Sequence, residues 1–373
     1  MKNFDIVLIF TNFKRVPSYL CIVKYLSSYF KIGLIRVPID NQEKTLHSDK
    51  IFLDLCVKFG AEFISEKEEI STNILILPQW PYSQEAIDKI QRIVKLTRRR
   101  IALCALTWAG VYNEFLAKLK IDKLFIIDKN LFNYLIKQKN LPLFGPKEII
   151  ETGMPFEKYP ILEETLNIDY LIAMPTPFSF PKEKDKIIFL ENIMSLLEDI
   201  SLGSQKNKVT IKKHNAAAGE YFVNPKTFHL VSCLERFNLT FLLRWLNISP
   251  QVKKINSLYA RLLHRVPKLE RLNFYSNFPL EIFLPFIKKG IIGGLSNTMW
   301  GALYFRKPFY NCVPDEVKKR LADRITLKIS LDYFGVPCCD GKLNFDPICF
   351  DKISTSCRQA DLLEIIKGEL QGG

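Results

Sequence analysis

Residues 293–310 read GGLSNTMWGALYFRKPFY, and the rest of the chain is best ordered outward from this stretch. Gly293 and Gly294 close a short apolar strand at Ile291–Gly293. Ser296 and Thr298 open a helix predicted over Thr298–Phe305, and Lys307 and Pro308 lead into a further strand, Pro308–Cys312. Glycines allow close approach of another backbone or a ligand, and a helix start offers unpaired N–H groups at the positive end of its dipole. A phosphate fits such a place. A plain helix cap by Ser296 or Asn297 accounts for the same residues, and both readings stand on this stretch alone.

The same strand-then-helix rhythm runs through the whole chain. Asp5–Phe10, Ile32–Val37, Asn73–Leu77, Ile101–Leu106 and Leu124–Ile127 read as strands, with helices at Ser18–Tyr29, Gln84–Leu96 and Gly110–Leu119. Glu148–Pro155 adds a strand ending in a turn. A second series follows: strands at Tyr170–Met174, Val209–Lys212 and Leu272–Tyr275, with a helix at Ile187–Ile200. Such alternation implies βαβ units and a mainly parallel sheet. At 373 residues one core would be oversized, so two domains are expected. The fold class predicted is α/β with two doubly wound, Rossmann-like domains facing a cleft. The first spans 1–160 and the second 161–350, the latter with a helical basic insertion at 225–271. Residues 351–373 carry a terminal helix, Ala360–Leu370, for which packing back on the first domain is one open arrangement.

Bulk properties narrow the partners. Apolar residues make up 48% and charged residues 25% of the chain, ordinary for a globular protein. A net charge of +14 predicts attraction to an anion: nucleic acid, an anionic leaflet or a phosphorylated substrate. Zinc-finger spacing, a basic helix with heptads and an aromatic sheet signature are all missing from the sequence, so nucleic acid ranks below the other two. The nine cysteines are scattered and mostly set in apolar runs, the usage of reduced core residues in a reducing compartment. Cys338, Cys339, Cys349 and Cys357 lack the short paired spacing of a zinc knuckle, so no metal is expected. The start of the chain does not read as a signal peptide. No apolar run reaches the ~18 to 20 residues of a membrane span; the best, Ile282–Leu295, is broken by Lys288 and Lys289. The expected location is the cytoplasm, at the inner face of the cytoplasmic membrane if the chain meets lipid.

Ligands of doubly wound domains bind at the carboxyl ends of strands. Besides 293–310, that rule selects Val209–Phe222, VTIKKHNAAAGEYF, which sets Lys212, Lys213 and His214 at a strand end before a small-residue turn. Of four histidines, His47, His214, His229 and His264, His214 alone falls at such an end. Histidine there can donate to a phosphate oxygen or protonate a leaving phosphate, and a structural histidine is the other reading. Glu281, in FPLEIFLPF, is placed at a helix start. It suits hydrogen bonding to a ribose or base, or simple stabilisation by the helix dipole.

The KKHN turn and the GGLSNTMWGAL segment together resemble the paired His-Pro and Ser-Ser/Thr motifs of GT-B glycosyltransferases, notably bacterial enzymes that use CMP-activated sialic acid or Kdo. The turn at Glu148–Pro155 also resembles the end of the first domain in related polymer transferases. The likeness covers roughly residues 148–312; Asn215 stands where the family usually has Pro, and Asn297 separates Ser296 from Thr298. It implies that His214 contacts the nucleotide phosphate and that Ser296 and Thr298 bind phosphate at the helix start. With Lys212, Gly293, Gly294, Asn297 and Glu281 these form the expected donor site. The implied activity is transfer of a sugar from a nucleotide donor to a cell-surface polysaccharide or lipid-linked glycan, the nucleotide sugar being a substrate and no cofactor being needed. A UDP-sugar or polyol-phosphate transferase, or a non-catalytic binder of nucleotide sugar or polysaccharide, fits the same layout.

An inverting transfer needs a base on the acceptor side. Asp128 and Glu114 are the carboxylates near strand ends, and either also reads as an ordinary solvated acid. Arg15, after the first strand, could receive an anionic acceptor or lie on the surface. The sequence contains no Asp-x-Asp, which favours handling of the donor phosphates without a metal. Finally, residues 236–271 hold eight Lys or Arg against the single acid Glu270, interleaved with Phe237, Phe241, Trp245 and several leucines. That composition suits an anionic membrane surface; a helical insertion packed on its own domain explains it equally well.

Overall fold

The structure is a computed structural model. It describes residues 2–10, 18–37, 47–65, 68–78, 90–93, 97–103, 121–126, 128–130, 132–133, 147–153, 155–156, 158–162, 166–175, 182–202, 207–212, 223–239, 241–242, 248–266, 280–294, 305–313 and 361–371, with single residues between them. The chain divides into two compact units, Met1–Glu163 with Ile353–Gly373, and Glu164–Lys352.

Among the described residues the first unit is built on seven strands: β1 (Lys2–Phe10), β2 (Ile32–Arg36), β3 (Glu62–Phe63), β4 (Ile70–Pro78), β5 (Thr97–Leu103), β6 (Lys123–Ile126) and β7 (Glu148–Glu151). They lie in the order β3-β2-β1-β4-β5-β6-β7, and each neighbouring pair is parallel. A parallel sheet is covered on both faces, so its central strands read as unbroken apolar runs. Ile6–Phe10 of β1 and Ile74–Leu77 of β4 are accordingly buried throughout. Helix α1 (Ser18–Leu26) crosses from β1 to β2, burying Tyr19 to Val23 and Leu26. Helix α2 (His47–Lys58) leads to the short edge strand β3, with Gly60 at φ +101° in the turn between them, a conformation that favours glycine.

After β3 the chain returns to lay β4 on the other side of β1. That reversal makes β1 and β4 the switch point, where carboxyl strand ends leave a crevice. Helix α6 (Leu362–Gln371), numbered last in chain order, belongs to this unit. It buries Leu362, Leu363 and Ile366. Its Glu369 reaches Lys123 at 2.8 Å and Arg99 at 3.5 Å.

The second unit carries β8 (Ile168–Ala173), β9 (Val209–Lys212), β10 (Ile287–Gly293) and β11 (Phe309–Asn311) in the order β11-β10-β8-β9, again parallel. Helix α3 (Glu183–Leu202) joins β8 to β9. Helices α4 (Pro225–Arg236) and α5 (Pro250–Arg265) lie between β9 and β10. Each of these two opens on a side-chain cap followed by proline, a strong start signal. Asn224 accepts from the amides of Lys226 and Thr227, and Ser249 from that of Val252.

The apolar face of α5, with Ile255, Leu258, Tyr259 and Leu262, is buried. The helix packs on α3 and α4; Lys254 pairs with Glu191 at 2.7 Å and Arg265 with Glu198 at 3.2 Å.

The second part of the apolar run Ile282–Leu295, residues 287–293, is strand β10, whose register shifts between Ile287 and Gly290. At that irregularity Lys288 and Lys289 donate to Asn167 and Asn207, at 2.7 and 2.6 Å. Among the described residues no helix is long and apolar enough to cross a membrane. The described cysteines are free thiols, with Cys21, Cys56 and Cys312 buried and Cys233 exposed.

Candidate functional site

In the second unit the chain runs outward from β8 to β9, then crosses back to place β10 on the other side of β8. The switch point therefore falls between β8 and β10, and ligands of such sheets sit beyond the carboxyl ends there. The register fixes what stands at that edge. Lys212 pairs with Ala173, Ala173 with Gly293, and Gly293 with Asn311. Four strands so end in one row, with a cation at one side and an amide at the other.

The glycines of the row have protein neighbours. A Cβ on Gly293 would stand 3.0 Å from the carbonyl oxygen of Ala173, and one on Gly294 would stand 3.3 and 3.4 Å from side-chain carbons of Val313 and Pro175. Close packing of the strand ends thus uses the space a side chain would fill. Asn311 is 1% exposed, and its Oδ1 accepts from the amide of Val313 at 3.1 Å. Asn192 on α3 donates to the Cys312 carbonyl at 3.1 Å, which ties the helix to the same edge. No sequence motif marks Asn311; its place in the row follows from register, which a single strand does not disclose.

Lys212 is buried, at 5% exposure. Its ammonium lies 5.7 Å from the centroid of the Phe283 ring, within cation–π range. The segment carrying that ring also carries Glu281, in a three-residue 3-10 turn, Leu280–Ile282. Burial pushes the Glu281 carboxyl up from its usual range, opposed by its own backbone N–H and by the charge of Lys212. Two residues far apart in sequence, Lys212 and Glu281, are thereby within electrostatic reach of each other. The helix-dipole account of Glu281 has little to act through, because one 3-10 turn carries little dipole.

On the first unit Asp128 follows β6 and is 7% exposed; its carbonyl accepts from the amide of Phe132 at 3.0 Å. In the strand order, β5 lies between β6 and the β1/β4 switch point. His214, Ser296, Asn297, Thr298, Glu114 and Arg15 lie outside the described residues. Among the described residues no group of three metal-binding side chains is clustered.

No family model matches the chain, and no curated protein matches it in sequence. The fold itself defines a protein of two parallel-sheet α/β units. Similar solved structures include CalG4, the calicheamicin glycosyltransferase, at 8% identity and TM-score 0.41, covering 100% of this chain and 95% of that one. The UDP-GlcNAc 2-epimerase of Methanocaldococcus jannaschii gives 10% identity and TM-score 0.43, covering 100% of both chains. S. aureus MnaA in a co-structure with UDP gives 11% and 0.43, covering 94% of each. Likeness at this level assigns no chemistry to the chain.

Proposed function

We propose that the chain is a GT-B-type glycosyltransferase, with the nucleotide of the activated sugar held by the second unit and the glycan or lipid-linked acceptor by the first. The observation that carries this reading is the row Lys212, Ala173, Gly293, Asn311 at the β8/β10 switch point. It puts a buried cation on the edge where doubly wound sheets bind phosphates. Beyond it the sequence supplies His214 after Lys212, and Ser296, Asn297 and Thr298 after Gly294.

In the reaction so proposed the acceptor hydroxyl attacks the anomeric carbon. The bond from that carbon to the donor phosphate oxygen breaks, and the nucleotide leaves with the electron pair. The hydroxyl proton passes to a carboxylate, for which Asp128 and Glu114 are the candidates. Lys212 and His214 balance charge on the leaving phosphate, so the charge stabilisation is assigned to protein groups and not to a metal. Glu281 is assigned to the ribose or base, and Arg15 to the acceptor. The preferred donor class is a CMP-activated sialic acid or Kdo; a UDP-sugar is the alternative.

The test is thermal stabilisation of the purified chain by CMP, CDP, UDP, GDP and AMP, since a ligand of the native state raises Tm by mass action. One nucleotide raising Tm, with the rise lost in His214→Ala, names the donor. Stabilisation by none of them overturns the reading. Turnover lost with donor binding kept, in Asp128→Asn or Glu114→Gln, then identifies the base and excludes a mere binding protein.

A further inference from the structure

The basic insertion of the second unit carries apolar side chains that the fold leaves well exposed. Helix α4 closes with Asn238 at φ 55°; the amide of Asn238 donates to the carbonyl of Glu235, and that of Leu239 to the carbonyl of Leu234. This is the hydrogen-bond pattern of a Schellman end, so the turn is tightly closed. On and after it Phe237 is 63% exposed, Leu239 39%, Phe241 61% and Leu246 50%. Leu230, on α4 itself, is 39% exposed.

The apolar face of α5, by contrast, is buried within the unit, so the exposed apolar surface belongs to α4 and the turn that follows it. Residues 236–271 around it hold eight basic residues to one acid, with Arg236 and Arg261 exposed.

We infer that Phe237, Leu239, Phe241 and Leu246 form a membrane-contact tip: these four side chains enter the headgroup boundary of an anionic bilayer while exposed basic residues of the insertion such as Arg236 meet lipid phosphates. Charge complementarity selects this occupant, because a basic rim around an apolar tip matches a surface that is anionic outside and apolar beneath. Among the described residues, three of the five exposed apolar side chains of the insertion are leucines, which offer no π-face for stacking bases, so this surface suits lipid better than single-stranded nucleic acid. The inference does not depend on the nucleotide site, and the two fail separately.

The experiment is flotation of the full chain with vesicles of phosphatidylglycerol and phosphatidylcholine, or of phosphatidylcholine alone, at low and high salt. A Phe237→Ser/Phe241→Ser variant and an Arg236→Gln/Arg261→Gln variant are run alongside. Binding is expected to the anionic vesicles only, to weaken with salt, and to fall by about tenfold or more in the phenylalanine variant. Both phenylalanines are exposed, so an unchanged Tm is expected and serves as the folding control. Wild type that fails to float, or a phenylalanine variant that floats equally well, overturns the inference. So does a wild-type dimer in solution that the phenylalanine variant loses, or tighter binding to a single-stranded oligonucleotide lost in that variant.

Discussion

The phenol of Tyr159 donates to the carboxylate of Asp361 across 2.7 Å, joining the last part of the first unit's leading segment to the start of α6. Lys158 contacts the same oxygen, and the other carboxylate oxygen caps α6 by accepting from the amides of Leu363 and Glu364. Burial and the Asp361 carboxylate together push the Tyr159 phenol up to about 12. The Asp361 carboxyl is raised by burial, but its bonds to Lys158, Tyr159 and the two amides outweigh this and lower it below the ordinary value of 3.8.

Asp361→Ala is therefore expected to destabilise by about 1 to 2 kcal/mol, the usual cost of a lost cap. A carboxylate held down in the folded state adds stability above its ordinary value and loses it as the pH falls through the folded value. The gap in Tm between wild type and variant should accordingly be full at pH 7 and close as the pH drops below 3.8. Thermal melts from pH 7 to pH 2 check this.

Glu281 has the opposite sign. Its raised carboxyl means that the folded chain favours the protonated form, so a penalty develops as the pH rises past the ordinary value of 4.5. Glu281→Gln should raise Tm at pH 8 and leave it nearly unchanged at pH 4. A variant that melts lower at pH 8 would instead assign the carboxylate a structural bond worth more than its burial cost.

Much of the architecture was readable because parallel strands announce themselves as apolar runs, and β1, β8 and β9 fall where such runs stand, whereas β10 starts at Ile287, four residues ahead of the expected Ile291, because its first half carries Lys288 and Lys289. β5 escaped in part: the run Ile101–Leu106 placed the strand too late, since Thr97–Arg100 is polar. That polar end is extended because Thr97, Arg99 and Arg100 pair with the longer β4, and Arg99 meets Glu369. Helix α2 and strand β3 were missed altogether, because HSDKIFLDLCVK mixes charge into its apolar pattern and β3 is only two residues long. At the site, Lys212 and Gly293 were legible as strand ends, a local property. The coupling of Lys212 to Glu281 and the place of Asn311 depend on which strands become neighbours, and local pattern holds no record of that.

Gly290 tests the packing of β10. A Cβ there would stand 2.7 Å from Cε2 of Tyr310 and 3.0 Å from the Pro308 carbonyl oxygen. The backbone oxygen cannot swing aside as a side chain can. Gly290→Ala should cost about 1 to 3 kcal/mol, measurable as a shifted denaturant midpoint with an unchanged slope.

Tyr19 tests the first unit's switch point. Its hydroxyl is fully buried and lies 2.9 Å from the Ile9 carbonyl and 3.1 Å from the Ile76 carbonyl, spanning β1 and β4. Tyr19→Phe removes the donor and should cost about 1 to 3 kcal/mol. An unchanged denaturant midpoint would show that the two carbonyls find other partners.

Helix α6 has a temporal consequence as well as a spatial one. During translation residues 164–352 emerge as one uninterrupted stretch and can complete their own core. The seven-stranded sheet of the first unit is synthesised earlier, yet its covering helix arrives only afterwards. Leu362, Leu363 and Ile366 then dock on a surface that has waited uncovered through the making of the whole second unit. Until α6 arrives, the nascent first unit therefore keeps exposed the apolar surface that these three residues cover.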